Sequence, residues 1–387
     1  DTAYREGGKR MREDWEYKKL GDISSSLLIE KAKKRFSPND VIRYIDISSI
    51  DNINQCLTRT TSFKMLDAPS RAQQKVEYGD ILISTVRPNL RNIAIVNDDA
   101  TNLVASSGFC VLRINDVDLR RYIFYYVVSN KFTAYLEKLT NGANYPAVKE
   151  TDVRKALISI PPKPTQLSIV SELDKLNELI QIKKEQLKDY DALAQSIFYE
   201  MFGDPVEEGW DVKELGDICK TSSGGTPSKA HTEYYNGEIM WLRSGEVSQG
   251  DIYNTEQTIT LLGLENSSAK IFPVNTVVIA MYGATVGQVG ILRKEMSTNQ
   301  AICGIFPNGD LTPEYLYYFL ISKKAEFLKS AIGGAQANIS QQIIRKTLIP
   351  LPPLSLQSSF TCKIRQIKLQ KAAVQSTITD LETLLAA

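Results

Sequence analysis

Apolar residues along this chain follow two registers, and the change from one to the other marks out its elements. Short runs punctuated by Gly, Pro, Asn and Asp at residues 41–45, 80–86, 92–96 and 108–114 have the length and composition of β-strands. Residues 122–138 and 313–330 space their aromatic and aliphatic side chains as helices with an apolar face, and Pro313 suits a first helical turn. Between residues 166 and 201 the spacing changes again, to alternating steps of three and four: Ile169, Leu173, Leu176, Ile180, Leu187, Tyr190, Ala194, Ile197 and Met201, broken by Lys183. Phe360, Ile364, Ile367, Val374, Ile378, Leu381 and Leu385 repeat that spacing near the C-terminus, broken by Lys371. Such narrow stripes are a coiled-coil signature. Two of them in one chain most simply pair with each other, antiparallel.

The pattern is also duplicated. Trp15-Glu16-Tyr17-Lys18-Lys19-Leu20-Gly21-Asp22-Ile23 returns as Trp210-Asp211-Val212-Lys213-Glu214-Leu215-Gly216-Asp217-Ile218. Tyr78-Gly79-Asp80-Ile81-Leu82-Ile83-Ser84 has a looser echo in Val274-Asn275-Thr276-Val277-Val278-Ile279-Ala280. Tyr122-Ile123-Phe124-Tyr125-Tyr126-Val127-Val128-Ser129 matches Tyr315-Leu316-Tyr317-Tyr318-Phe319-Leu320-Ile321-Ser322. Arg154 to Pro162 matches Arg345 to Pro353, and Gln166 then matches Gln357. A period of about 195 residues is too long for a solenoid and fits a duplicated domain. Between these anchors, residues 24–75 and 219–270 share almost nothing. The frame is kept and the filling changes.

Composition limits what such a duplicated chain does. With 387 residues, 43% hydrophobic and 24% charged, it is an ordinary globular sequence of two or more domains. No apolar run approaches about 18 residues, so no membrane span is expected. No secretory pattern opens the chain, and five scattered cysteines suit a reduced cytoplasm. Net charge is only +1, so binding to nucleic acid must rely on local patches or on a partner.

The search for catalytic chemistry returns mainly exclusions. The single histidine, His231, cannot serve a duplicated His-dependent site. No phosphate-cradling Gly-rich loop ends in Lys-Ser/Thr, and Gly224-Gly225-Thr226-Pro227 is better read as a turn. The Pro-Pro segments at 161–162 and 352–353 lack the Asn or Asp that holds the target amine in amino-methyltransferases. Asp204 with Asp211 and Lys213 has a loose nuclease-like spacing, but it lies in the repeated frame, where the start of a strand is the better reading. No cysteine pair has metal-ligand spacing.

The repeated Trp-x-x-x-x-Leu-Gly-Asp-Ile frame, the central Gly-Asp-Ile-Leu-Ile-Ser, the Ile-Pro-Pro-x-x-x-Gln segment and the helix after it resemble the DNA specificity subunit of type I restriction–modification systems. The resemblance covers essentially residues 13–387, and it is the order and duplication of the motifs that make it specific. It implies an α+β fold of two tandem target recognition domains joined by two long helices that form an antiparallel coiled coil. The domains would span 13–164 and 208–353, with a central spacer helix at 165–207, a C-terminal one at 354–387, and residues 1–12 as a leader or extension. It also implies a non-catalytic, cytoplasmic subunit that binds double-stranded DNA, each domain reading one half of a bipartite site. Two methyltransferase subunits would dock on it and two restriction/translocase subunits would join through them. S-adenosylmethionine, ATP and magnesium would bind those partners and not this chain. The competing reading is a two-domain adaptor that binds protein without reading DNA.

On that reading the reading groups lie in polar loops. In the first domain these are Arg87, Asn89, Arg91, Asn144, Tyr145 and Lys149, with Lys33, Lys34 and Arg35 placed for phosphate contacts. In the second they are Lys229, His231, Arg243, Tyr282, Thr285, Gln336 and Asn338. Arg matches guanine O6/N7, and Asn and Gln match adenine N6/N7. Arg87 stands out because it precedes a proline at a strand end. Gly283-Ala284-Thr285-Val286-Gly287 carries no basic equivalent of Arg87 or Arg91, so the second domain must build its contacts from other residues. The coiled-coil and partner surface falls to Leu173, Leu176, Ile180, Leu187 and Ile197 with Phe360, Ile364, Ile367, Val374, Ile378 and Leu381.

Overall fold

A computed structural model describes residues 14–24, 28–140, 146–203, 209–330 and 338–386. The chain divides into two compact units, one of residues 1–184 with 377–387 and one of residues 185–376. Each long helix therefore contributes to both units.

The repeated sequence frame is a repeated set of contacts. In the first unit, strand Glu16–Lys19 pairs antiparallel with Leu157–Ile160, and the following helical turn Leu20–Ile23 donates the Leu20 N–H to the Ala156 carbonyl at 3.0 Å. Leu20 is buried there, and a Cβ on Gly21 would stand 3.2 Å from Arg154, so glycine lets the turn lie on helix Glu150–Lys155. In the second unit Val212–Glu214 pairs with Leu348–Pro350, Leu215 donates to Thr347 at 2.9 Å, and a Cβ on Gly216 would come within 2.9 Å of Arg345. The nuclease-like Asp211-Val212-Lys213 is thus part of this framework strand region, while Asp204 lies outside the described residues.

The aromatic helices fasten to the same strands. The Tyr122 hydroxyl donates to the Ser159 carbonyl at 2.7 Å, and the Tyr315 hydroxyl donates to the matching Pro350 carbonyl at 2.9 Å. Each expected helix is two helices: Val117–Val128 and Asn130–Glu137, then Pro313–Ser322 and Lys324–Ser330. The first break has a local cause, because the Ser129 hydroxyl accepts from the Phe132 N–H and caps a new helix. The conserved spacing of the Pro-Pro and Gln residues also has a role. Buried Gln166 donates to the Pro161 carbonyl at 2.8 Å, and buried Gln357 to Pro352 at 3.0 Å. Gln357 additionally donates to Asp310 at 3.0 Å and accepts from the Thr312 N–H at 2.8 Å.

Over this frame each unit builds two larger sheets, and the first unit adds a two-stranded ribbon of Ile50–Asp51 and Cys56–Leu57. In the first, Ile81–Ser84 lies between Phe109–Leu112 and Ile93–Ile95, all antiparallel. A second sheet runs Thr61–Lys64, Val41–Ile45, Leu103–Ser106, Ala72–Lys75, its middle pair parallel. In the second unit a five-stranded sheet runs Lys220–Ser223, Ile302–Phe306, Val277–Ala280, Val289–Leu292, Gly250–Ile252. Its four-stranded companion runs Gln257–Ile259, Tyr235–Leu242, Met296–Thr298, Ile271–Phe272. Ile81, Leu82 and Ile83 are fully buried, as are Val277, Val278 and Ile279, which explains their unbroken apolar run. Each such side chain contributes roughly 1.5–3 kcal/mol by burial.

The long helices span Lys163–Phe202 and Leu354–Ala386. In the first unit Ile180 and Ile378 are buried, and Lys184 pairs with Glu382 at 2.9 Å. In the second, Ala194, Phe198 and Phe202 share a core with Phe360, Ile364 and Ile367, and the Phe198 and Phe360 rings sit 5.6 Å apart. Val374 is buried; Leu173, Leu176, Leu187, Ile197 and Leu381 are half-buried. Lys371, which interrupts the apolar stripe, forms an ion pair with Asp191 of the other long helix. Past Ala194 the buried face moves to Phe198 and Phe202, at steps of four, where the helix packs on the domain core; Ile197 and Met201 flank it. No helix among the described residues is long and apolar enough to cross a membrane.

Candidate nucleic-acid interface

The strand Ile81–Ser84 leads into a tight hook. Its backbone is set by a single-turn 3₁₀ helix, Pro88–Leu90, with Arg87 (φ 49°) before it and Arg91 (φ 50°) after it, both left-handed. That region favours glycine; a non-glycine residue there costs of order 1–3 kcal/mol and persists only where its surroundings hold it. The restraints are visible. Arg87 N–H donates to the Pro146 carbonyl at 2.8 Å, Val86 bridges Ala147, and the Asn52 amide donates to the Leu90 carbonyl at 2.8 Å. Val148 N–H donates to Thr85 at 2.9 Å, which brings exposed Lys149, at the start of helix Glu150–Lys155, beside the same hook. Arg87 and Asn89 are exposed, while the Arg91 guanidinium donates to Asn130.

The hook gathers one residue that the sequence did not single out. Thr85 N–H donates to Gly108 at 2.9 Å and Ser107 N–H to the Arg71 carbonyl at 2.8 Å, so exposed Arg71 joins the loops around Arg87. Lys33, Lys34 and Arg35 form an exposed basic turn, Ala32–Arg35, anchored by buried Ala32 and lying against strand Ala72–Lys75 that Arg71 precedes. Asn144 and Tyr145 lie outside the described residues.

The second unit repeats the hook with other residues. Val277–Ala280 leads into the 3₁₀ turn Gly283–Thr285, and Tyr282 bridges Asn338 as Val86 bridges Ala147. Ile339 N–H donates to Met281 at 2.9 Å, the counterpart of Val148 to Thr85. At the places of Arg87 and Arg91 stand Gly283 (φ 71°) and Gly287 (φ 76°). The backbone is shared and the cationic side chains are gone. Tyr282, Thr285 and Asn338 therefore come together, with Thr285 Oγ1 donating to the Tyr282 carbonyl at 3.2 Å; Gln336 lies outside the described residues.

Lys229 and Arg243 occupy a separate place, a cleft of about 530 Å³ whose other lining includes Tyr235, Trp241, Asn299 and Gln300. Two glycines let the backbone close its base: a Cβ on Gly224 would meet the Thr298 carbonyl at 2.3 Å, and one on Gly225 the Ala269 nitrogen at 2.2 Å. The Trp241 indole N–H donates to the Gly225 carbonyl at 3.0 Å, and the Tyr235 hydroxyl to Pro227 at 2.6 Å. Arg243 pairs with Glu246 at 3.4 Å and with Glu256, so its charge is largely met within the domain. His231 stacks on Tyr234 and contacts Glu233 at 3.0 Å. Asn299 and Gln300 escaped the sequence reading because they carry no motif; the sheet, which pairs Trp241 with Ser297, brings them to the cleft.

Among the described residues no three His, Cys, Asp or Glu side chains cluster as metal ligands. Burial pushes the Cys110 and Cys303 thiols up to about 12, which leaves neither as a thiolate nucleophile near neutral pH. Exposed cations, amides and hydroxyls on restrained loops suit recognition of a polyanion with readable edges.

A family model described as the type I restriction modification DNA specificity domain matches residues 12–189 and again residues 207–363. The HindI type I restriction enzyme specificity subunit of Haemophilus influenzae is 23% identical over 454 aligned positions, covering 96% of this chain and 98% of that protein. The MjaIX specificity subunit of Methanocaldococcus jannaschii is 31% identical over 152 positions, 38% of this chain and 35% of its own. Among solved structures, a chain from work on complex assembly and conformational transition of the type I R-M system aligns with a TM-score of 0.65 and 26% identity. That alignment covers 98% of this chain and 97% of the other.

Proposed function

The chain belongs to the type I restriction modification DNA specificity domain family and carries two copies of the domain, and from that premise we propose that each copy reads one half of a bipartite DNA site. The observation that carries this reading is the pair of hooks, each held by a matching β-bridge and a matching backbone hydrogen bond, bearing Arg87, Asn89 and Arg91 in one copy and Gly283, Thr285 and Gly287 in the other. A duplicated frame with divergent loops is what two different half-sites require of one pseudo-symmetric subunit. The recognition domains are assigned to residues 13–164 and 208–353, and the long helices to the connecting segments 165–207 and 354–387.

In the first domain Arg87, Asn89, Arg71 and Lys149 would face the bases, with Lys33, Lys34 and Arg35 on phosphates. In the second, Tyr282, Thr285 and Asn338 would serve at the hook, and Lys229, His231 and Arg243 around the cleft. We propose that the long helices form an antiparallel coiled coil. Supporting it, cross-helix partners fall from Glu382 to Lys371 to Phe360 as the first helix advances from Lys184 to Asp191 to Phe198. At about 1.5 Å per residue the 40-residue helix is about 60 Å long, between one and two turns of B-DNA, so the pair can set the unread gap between half-sites.

The catalytic work would fall to partners. Two methyltransferase subunits docked on the outer faces of the helices would bring S-adenosylmethionine, and two restriction/translocase subunits ATP and magnesium. A net charge of +1 fits a subunit that binds DNA firmly only within that complex. Selection of bound duplexes from a random library by the chain with its methyltransferase subunits should return one bipartite motif. Recovery of unrelated sequences would refute the reading. A heptad inserted into the first helix should lengthen the gap and leave both half-sequences as they are.

A further inference from the structure

We infer that Asn52 is a positioning residue for the first half-site: it holds the reading hook so that Arg87 meets its base. The premise is the reading above, that the hook contacts DNA. Asn52 lies at the tip of the ribbon whose strands are Ile50–Asp51 and Cys56–Leu57, beside the strand Ile93–Ile95 that leaves the hook. Its side-chain amide crosses to the hook and donates to the Leu90 carbonyl at 2.8 Å. Leu90 ends the single-turn helix Pro88–Leu90, where a carbonyl has no partner within the helix. The next residue, Arg91, is left-handed, as is Arg87 on the other side of the turn. Such a backbone persists only where its surroundings over-determine it, and the Asn52 amide is a side chain brought from another segment to do so.

The ribbon tip is built to hold that amide still. The Asp51 carboxylate accepts from the Ile53 N–H at 2.9 Å, the Asn54 N–H at 3.0 Å and the Asn54 amide at 2.7 Å. The Asn54 amide oxygen accepts in turn from Gln181 of the long helix at 3.4 Å, so the hook is braced through the ribbon to that helix. The bonds from Asn54 and Ile53 hold the Asp51 carboxyl below its usual value, and the tip therefore carries a negative charge at neutral pH. A carboxylate beside Asn52 repels phosphate, which makes Asn52 a support for the reading residues and not a contact with the DNA backbone. The ribbon falls in residues 24–75, the part of the first domain without a match in residues 219–270. In the second hook the left-handed places belong to Gly283 and Gly287, which adopt that region without steric cost, and Thr285 Oγ1 bonds within the turn, to the Tyr282 carbonyl at 3.2 Å.

The test is random-duplex selection and competition binding by the full chain with its methyltransferase subunits, for the wild type, Asn52→Ala, Arg87→Ala and the double variant. We expect Asn52→Ala to bind the intact first half-site about 2- to 10-fold more weakly, the range for one lost hydrogen bond, and to relax the same base position that Arg87→Ala relaxes. The second half-site should be read unchanged. Because Asn52 acts through Arg87, adding Asn52→Ala to Arg87→Ala should cost less than about twofold more. Losses that multiply in the double variant would show Asn52 acting apart from Arg87 and overturn the inference, as would an unchanged first half-site in Asn52→Ala. Asn52→Asp keeps the shape and lacks the amide donor, so it should behave as Asn52→Ala does, and it decides the outcome if the alanine variant folds poorly. Variants that melt well below the wild type and weaken both half-sites alike make Asn52 structural, which also overturns the inference. If Arg87→Ala leaves the first half-site untouched, or the wild type selects no bipartite motif, the reading of the hook fails and the inference with it.

Discussion

The two hooks are one backbone solved with opposite residues. In the second domain glycines occupy the left-handed positions, Gly283 and Gly287, as backbone energetics favours. In the first, arginines occupy the same positions, Arg87 and Arg91, against that preference. Both versions of the loop share a backbone contact, Val148 N–H to Thr85 in the first and Ile339 N–H to Met281 in the second. The Arg91 guanidinium donates to Asn130. Arg87 is exposed at the turn. The lesson is that strain retained in one copy of a duplicated loop, and absent from the other, points to function in the strained copy.

That comparison can be broken in several ways. The largest effect is expected from Arg87→Ala. In the complex with methyltransferase, competition binding should show a loss of about 5- to 150-fold for the intact first half-site. Thr285→Ala, in the equivalent loop, should lose less than about threefold. Equal losses would remove the claimed asymmetry.

The frame supplies the next contrast. Gln357 satisfies Thr312, Asp310 and Pro352, whereas Gln166 satisfies Pro161. Urea unfolding should therefore show Gln357→Ala destabilised by about 2–3 kcal/mol and Gln166→Ala by about 1 kcal/mol, since buried groups left unpaired are costly. A reversed order would mean that the second junction is less buried in solution than its contacts imply. The smallest effect is the cleanest. Among the described residues a Cβ at Gly283 meets nothing within 4 Å, so Gly283→Ala measures mainly the backbone term, about 1 kcal/mol of lost stability. No loss would mean that left-handed geometry at this hook is not a burden, and the argument from Arg87 would weaken with it.

Much of this molecule was legible in sequence because it is said twice. Trp-to-Asp-Ile, the aromatic helix and the Pro-Pro-to-Gln segment correspond to contacts such as Tyr122 to Ser159 and Tyr315 to Pro350, which are local or pairwise. Arg87 was legible as a residue beside proline, yet its left-handed backbone was not, because that conformation is imposed from Pro146, far along the chain. The cleft was hidden for a similar reason: Lys229, Trp241 and Asn299 meet only through the parallel pairing of Tyr235–Leu242 with Met296–Thr298. The change of the helix face from Ile197 to Phe198 and Phe202 escaped the heptad pattern because those rings pack on Tyr315 and Phe360, and no strict seven-residue repeat anticipates a domain core.

Whether Arg87 keeps an unfavourable backbone because its side chain reads DNA is decided by Arg87→Gly. Mapping methylated sites made by the complex and melting the variant belong to the same experiment. If it does, the variant has a melting temperature equal to or above that of the wild type, a relaxed first half-site and an unchanged second. A lower melting temperature with both half-sites intact would contradict it.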